Sequence, residues 1–215
     1  VLEGMSKYDG NEIIYEKGAN LILNSDGVVK FSEKIILNQN DKSGFDSARI
    51  AAAKSDIAIV VIGEDGFQSG EGRSRSEIDI PGVQLDLLKE IFKVNNKIVL
   101  VLMNGRPLDL SWADENIPAI LETWQLGTQT GNAIAQVLYG DYNPSGKLPM
   151  TFPRSVGQIP IYYNHKSTGR PGPKKVVFWS HFNDIPNTPL YPFGYGLSYT
   201  RFKYSNLSID KKLMN

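Results

Sequence analysis

Three glutamates, Glu64, Glu71 and Glu77, fall within one short stretch, IAIVVIGEDGFQSGEGRSRSEIDIP, over residues 57–81. A carboxylic acid that protonates a leaving-group oxygen must be able to swing toward it. Glu71 sits between Gly70 and Gly72, and flanking glycines let the backbone turn freely and approach a ligand closely. Glu64 directly follows an apolar run, and Glu77 leads into Ile78-Asp79-Ile80-Pro81. The ordinary fate of any one of them is a solvated surface charge; Glu71 is the one whose neighbours argue for proton transfer, with Glu64 as the alternative. Arg73 and Arg75 oppose that role, because a nearby guanidinium lowers a carboxyl pKa and a general acid at neutral pH needs it raised. Either the arginines point elsewhere, at a neighbouring carboxylate or at substrate, or a second carboxylate facing Glu71 offsets them. Loop salt-bridging is their commoner role.

The elements that must carry this loop are legible as alternating patterns. Leu2, Met5 and Tyr8 read as a short helix, followed by a strand at Ile13–Tyr15. A helix is expected near Asp46–Lys54, with Asp46 as N-cap. Ile57–Ile62 and Ile98–Met103 are continuous apolar runs, as in strands buried on both faces, and Ala119–Thr123 is a third strand. Val83–Val94 places Leu87, Leu88, Ile91 and Val94 on one helical stripe, and Thr130–Tyr139 is a helix stopped at Gly140. Strand–helix alternation predicts an α/β fold, an open, mostly parallel sheet flanked by helices. In such sheets ligands meet the protein beyond the carboxyl ends of the strands, which is where the Glu71 loop begins. Leu148–Phe152 reads as an edge strand, since Pro149 argues against a central one. Residues 164–188 have no periodicity and carry three prolines, a length that in a compact domain is functional or docked on a neighbour. Residues 203–215 alternate like the first strand of a β-sandwich.

Composition excludes several function classes. Lys+Arg and Asp+Glu are both 23, so the basic stripe that nucleic-acid binding requires is not expected. No apolar run approaches the roughly 20 residues of a membrane span. With no cysteine and only His165 and His181, neither disulfides nor a thiolate or histidine metal cage is expected, and no cofactor is. Gly63, Gly66, Gly70 and Gly72 do not give a dinucleotide or phosphate-loop spacing, and Ser69 is outside any nucleophile-elbow pattern. Trp112 and Trp124 could stack on sugar rings, and Tyr162, Tyr163 and His165 could line a cleft; core packing is the common fate of both groups. Residue 1 is Val and already leads into structure, which predicts a piece of a longer polypeptide.

GEDGFQSGEGRSRSEIDIPG, VLVLMNGRPL, ILETWQLGTQTGNAIAQVLYGDYNPSGKLPMTFPRSVGQIPIYY and LYPFGYGLSYTRF resemble the second domain of glycoside hydrolase family 3, in particular the bacterial periplasmic β-glucosidases. The resemblance covers nearly the whole chain. It implies an α/β sandwich domain over residues 1–201, lacking its first strand and helix, and the start of a fibronectin type III-like domain over residues 202–215. It further implies a retaining β-glucosidase acting on a β-glucoside or oligosaccharide, with a nucleophilic aspartate on an N-terminal barrel domain of the same polypeptide. Glu71, in SGEGR, matches the family's acid/base glutamate, with Glu64 the fallback, and Gln68 and Arg73 are expected substrate contacts. A retaining glycosidase needs two carboxyl groups, so the chain by itself is expected to be inactive. Export to the periplasm or beyond is implied as well. The alternatives are β-xylosidase specificity, a non-catalytic carbohydrate-binding or interaction module, and a domain binding a phosphorylated small molecule.

Overall fold

The computed structural model describes residues 1–24, 34–166, 169–170 and 178–210. Its centre is a parallel sheet of β1 (Ala58–Gly63), β2 (Ile98–Met103) and β3 (Ala119–Glu122), in that order. The register pairs Val60 with Leu100 and Leu100 with Ile120. Leu100, Val101 and Leu102 are all fully buried. Consecutive residues of a strand face opposite sides, so β2 is covered on both faces, as its unbroken apolar run predicts. The flanking helices are α1 (Leu2–Met5), α2 (Phe45–Lys54), α3 (Gln84–Phe92), α4 (Ser111–Asn116) and α5 (Thr130–Leu138).

The α3 stripe of Leu87, Leu88 and Ile91 is buried in one core with Phe45, Ala48 and Ala52 of α2 and with β1 and β2. Val94 lies past the helix end and is exposed. On another side α1 meets α5 backbone to backbone: a Cβ on Gly4 would stand 2.0 Å from the Gly131 carbonyl oxygen.

Three local expectations are corrected. Ile13–Tyr15 is no strand, and Ile14 and Tyr15 are exposed. The N-cap of α2 is Gly44, not Asp46; Gly44 packs so tightly on Gly18 that a Cβ would lie 2.3 Å from its carbonyl oxygen, while Asp46 pairs with Arg49 at 3.1 Å. Leu148–Phe152 adds no strand to the sheet. It forms a single antiparallel bridge, Phe152 to Tyr191, extended by Leu148 N–H to the Tyr195 carbonyl, because Pro149 and Pro153 leave no run of donors. The helix α4 was not expected from sequence. Residues 203–210 form no ladder pairing among the described residues, and 211–215 lie outside them.

Two features set the carboxyl end of the sheet. At the end of β1, Gly63 has φ +149°, and a Cβ there would lie 1.9 Å from the Met103 carbonyl oxygen. The buried Gln84 side chain accepts from Gly63 N–H (3.0 Å) and donates to the carbonyls of Gly63 and Pro81 (both 2.8 Å). At the end of β3, Glu122 accepts from Trp124 N–H at 3.0 Å. Its other oxygen, and the Oδ1 of the fully buried Asn104, are enclosed with no hydrogen-bond partner among the described residues. Burial pushes the Glu122 carboxyl up to about 7, against the lowering effect of the Trp124 N–H.

Two outcomes are expected. Gly63→Ala forces a side chain into the β2 backbone and should destabilise the domain by about 3 kcal/mol or more, read as a shifted urea midpoint. Glu122 has a folded-state pKa above its unfolded value, so its contribution is fully present below about pH 4.5 and is lost as pH rises through about 7. Wild type should therefore lose up to about 3 kcal/mol relative to Glu122→Gln between pH 4.5 and 8, in paired unfolding curves.

Candidate active site

The loop after β1 is built from its own polar groups. Glu64 N–H continues the ladder to the Met103 carbonyl at 2.8 Å. The Asp65 side chain then accepts from Phe67 N–H at 2.8 Å, and Gln68 N–H reaches the Asp65 carbonyl at 2.9 Å, closing a tight turn. Gln68 is buried, and its amide oxygen accepts from Asp65 N–H at 2.9 Å. That placement gives Gln68 a loop-holding role in place of the substrate contact expected of it.

Glu64 and Glu71 look alike in sequence and are opposites in structure. The Glu64 side chain has no exposure. Arg75 Nη1 lies 2.7 Å from its Oε1 and Arg106 Nε 3.0 Å from the same atom; Gly105 N–H and Arg106 Nε reach Oε2 at 3.2 and 3.3 Å. A carboxylate so enclosed cannot meet a ligand, which removes Glu64 as a proton donor to substrate. Glu71 stands exposed at the loop tip, with no ion pair or hydrogen bond to any described residue. Gly70 and Gly72 have φ +115° and +67°, and a Cβ on either would meet nothing within 4 Å. The glycines therefore supply a left-handed turn with open space around it.

The arginines fall on one side of the alternatives left by the sequence. Arg75 points at a neighbouring carboxylate, Glu64, and its Nη2 donates to the Asp79 carbonyl at 2.9 Å. Arg73 places its guanidinium over the Phe67 ring, 5.6 Å from the centroid, and is partly exposed beside Glu71. Arg106, missed by sequence reasoning, donates through Nη2 to the carbonyls of Gln68 and of Arg73, the latter at 2.8 Å. Its signal was its position: Asn104-Gly105-Arg106 immediately follows β2, at the same sheet end as the Glu71 loop.

The aromatic candidates divide. Trp112 packs edge-on against Phe92 and carries Lys89 over its ring. Trp124 packs on Phe152 just beyond β3, with φ +54°. Tyr162 and Tyr163 are exposed, Tyr163 stacked on Phe193 at 4.6 Å. His165 turns its Nδ1 to the Tyr162 carbonyl. Among the described residues no cluster of His, Asp or Glu could hold a metal ion, and no helix is long and apolar enough to cross a membrane.

Comparison with known proteins agrees with this architecture. Residues 1–199 match the glycosyl hydrolase family 3 C-terminal domain. A periplasmic β-glucosidase of Salmonella typhimurium is 49% identical over 96% of the chain, and a β-xylosidase of Formosa agariphila 41% identical over 98%. The chain spans 28% and 26% of those two proteins. Among solved structures, a β-glucosidase from Erythrobacter marinus superposes with a TM-score of 0.82 over 95% of this chain and 28% of its own, at 34% identity. One from Listeria innocua gives 0.74 over 77% and 23%, at 40% identity. The parallel sheet, its flanking helices and the sequence match together place this chain in glycosyl hydrolase family 3, as its C-terminal domain.

Proposed function

We propose that this domain donates the acid/base residue, Glu71, to a retaining β-glucosidase that removes terminal β-D-glucosyl residues from a β-glucoside or oligosaccharide. The observation that carries this reading is the placement of Glu71: exposed, unpaired among the described residues, and held on a left-handed glycine turn beyond the carboxyl end of a parallel strand. Double displacement needs a second carboxyl group about 5–5.5 Å away as nucleophile. We assign that group to a barrel domain outside these 215 residues, and the small share of its relatives that the chain spans supports the assignment. Glu71 gives its proton to the glycosidic oxygen as the nucleophile attacks the anomeric carbon, and the resulting carboxylate then takes a proton from the water that hydrolyses the glycosyl ester. The Salmonella relative's periplasmic location supports export of this protein also. Phe202, Tyr204, Leu207 and Ile209 expose large apolar side chains, which suits residues 202–215 as the linker and start of a fibronectin type III-like domain.

A β-xylosidase is the second reading, favoured by the Formosa relative. Paired assays with aryl β-glucoside and aryl β-xyloside decide between them.

In the complete polypeptide, Glu71→Gln should lower kcat/KM about 10²–10⁴-fold on glucosides with poor leaving groups, and far less on activated aryl glucosides. Equal losses on both would exclude Glu71 as the acid. The 215-residue chain assayed by itself should give no turnover of either; clear hydrolysis would place both carboxyl groups within it.

A further inference from the structure

We propose that Arg106 is a positioning residue for the Glu71 loop, acting as a clasp that Glu64 holds in place. The proposal rests on Glu71 being the acid/base residue, and concerns how an exposed carboxyl group on a glycine turn acquires a defined position.

A Cβ on Gly70 or Gly72 would meet nothing within 4 Å. Unless something fixes the loop's two ends, Glu71 samples many positions, and a misplacement of about 1 Å can cost 10²-fold in rate. One group bridges the two ends. Arg106 Nη2 donates to the carbonyl of Gln68 before the turn and to that of Arg73 after it, and Arg73 N–H closes back on the Gly70 carbonyl at 3.1 Å. The guanidinium thus spans the base of the 68–73 excursion.

Its own orientation is set from the opposite side. Arg106 Nε lies 3.0 Å from Glu64 Oε1 and 3.3 Å from Oε2, so the planar guanidinium offers its outer nitrogen to the loop carbonyls. Arg75 occupies Glu64 from another direction and ties it to the Asp79 carbonyl, anchoring the far limb of the same loop. Gly105 is required for the fit, since a Cβ there would meet Ser69 Oγ at 1.9 Å. Lysine cannot replace this arginine, because an ammonium is a point charge without the fixed fork that reaches Glu64 and two carbonyls at once.

The test uses the complete polypeptide with Arg106→Lys, Glu71→Gln and the double variant, and glucosides spanning a range of leaving-group pKa. Arg106→Lys should lower kcat tenfold or more on poor leaving groups with KM little changed, and should steepen the leaving-group dependence in the direction of Glu71→Gln. In the Glu71→Gln background it should add little further loss, because the two act as a unit. Amide exchange at Gly70–Arg73 should accelerate in Arg106→Lys while β1 and β2 stay protected. Should Arg106→Lys fail to fold, Glu64→Gln, which keeps the side-chain volume, should show the same kinetic signature and faster exchange at the same amides. Unchanged exchange at Gly70–Arg73 overturns the clasp. An equal loss in wild type and in Glu71→Gln overturns positioning, since Arg106 would then act independently of Glu71. A flat leaving-group profile in Glu71→Gln alone overturns the underlying Glu71 reading, and shows itself without any change at Arg106.

Discussion

A carboxylate with no solvent exposure, gripped by two guanidinium groups, is the constraint around which the rest of the site is arranged. Burying Glu64 is costly unless its charge is paired and its lone pairs are satisfied. The partners come from Arg75 in the same loop and from Gly105 and Arg106 after the next strand. Satisfying one buried group therefore forces three separate stretches of chain to meet. The loop's course follows from that meeting, since each arginine spends its remaining donors on loop carbonyls.

Parallel topology makes the meeting possible. Glu64, Asn104 and Glu122 each stand at or just beyond the carboxyl end of a neighbouring strand, so three polar segments converge on one rim of an otherwise apolar sheet. Gln125 joins them through a 3.3 Å hydrogen bond to the Glu64 carbonyl. Trp124 adopts φ +54° on the same rim, a conformation uncommon for a bulky residue and tolerated where surrounding structure over-determines it. Glu122 N-terminal to it holds the bend by accepting from Trp124 N–H.

Much of this was legible in the sequence because the relevant signals are local. Ile98–Met103 announces its strand through an unbroken apolar run, and Glu71 stands out through its two glycines. What stayed hidden is governed by contacts distant along the chain. Glu64 and Glu71 are seven positions apart on one loop, and two of the groups that enclose the first, Gly105 and Arg106, lie 41 and 42 residues on from it. Gln68 is expected to contact substrate, and its local role shows only where its oxygen accepts from Asp65 N–H. Asp46 is a good N-cap type, and Gly44 displaces it because Gly18 leaves no room for a side chain. The helix Ser111–Asn116 is short and too polar to carry a stripe, with Ala113 its one buried residue; the apolar residues that dock it, Leu110 and Ile117, flank it.

The Gln84 amide contacts the chain both where the Glu71 loop departs, at Gly63, and where it returns, at Pro81. A single side chain at the start of α3 thus closes the excursion of residues 64–80 at its neck. Beyond that neck, a longer or shorter tip changes chain entropy only slowly with length and leaves strand and helix in register. The segment therefore has the properties of an exchangeable cassette, able to diverge in size and reach between family members while the sheet beneath it stays the same.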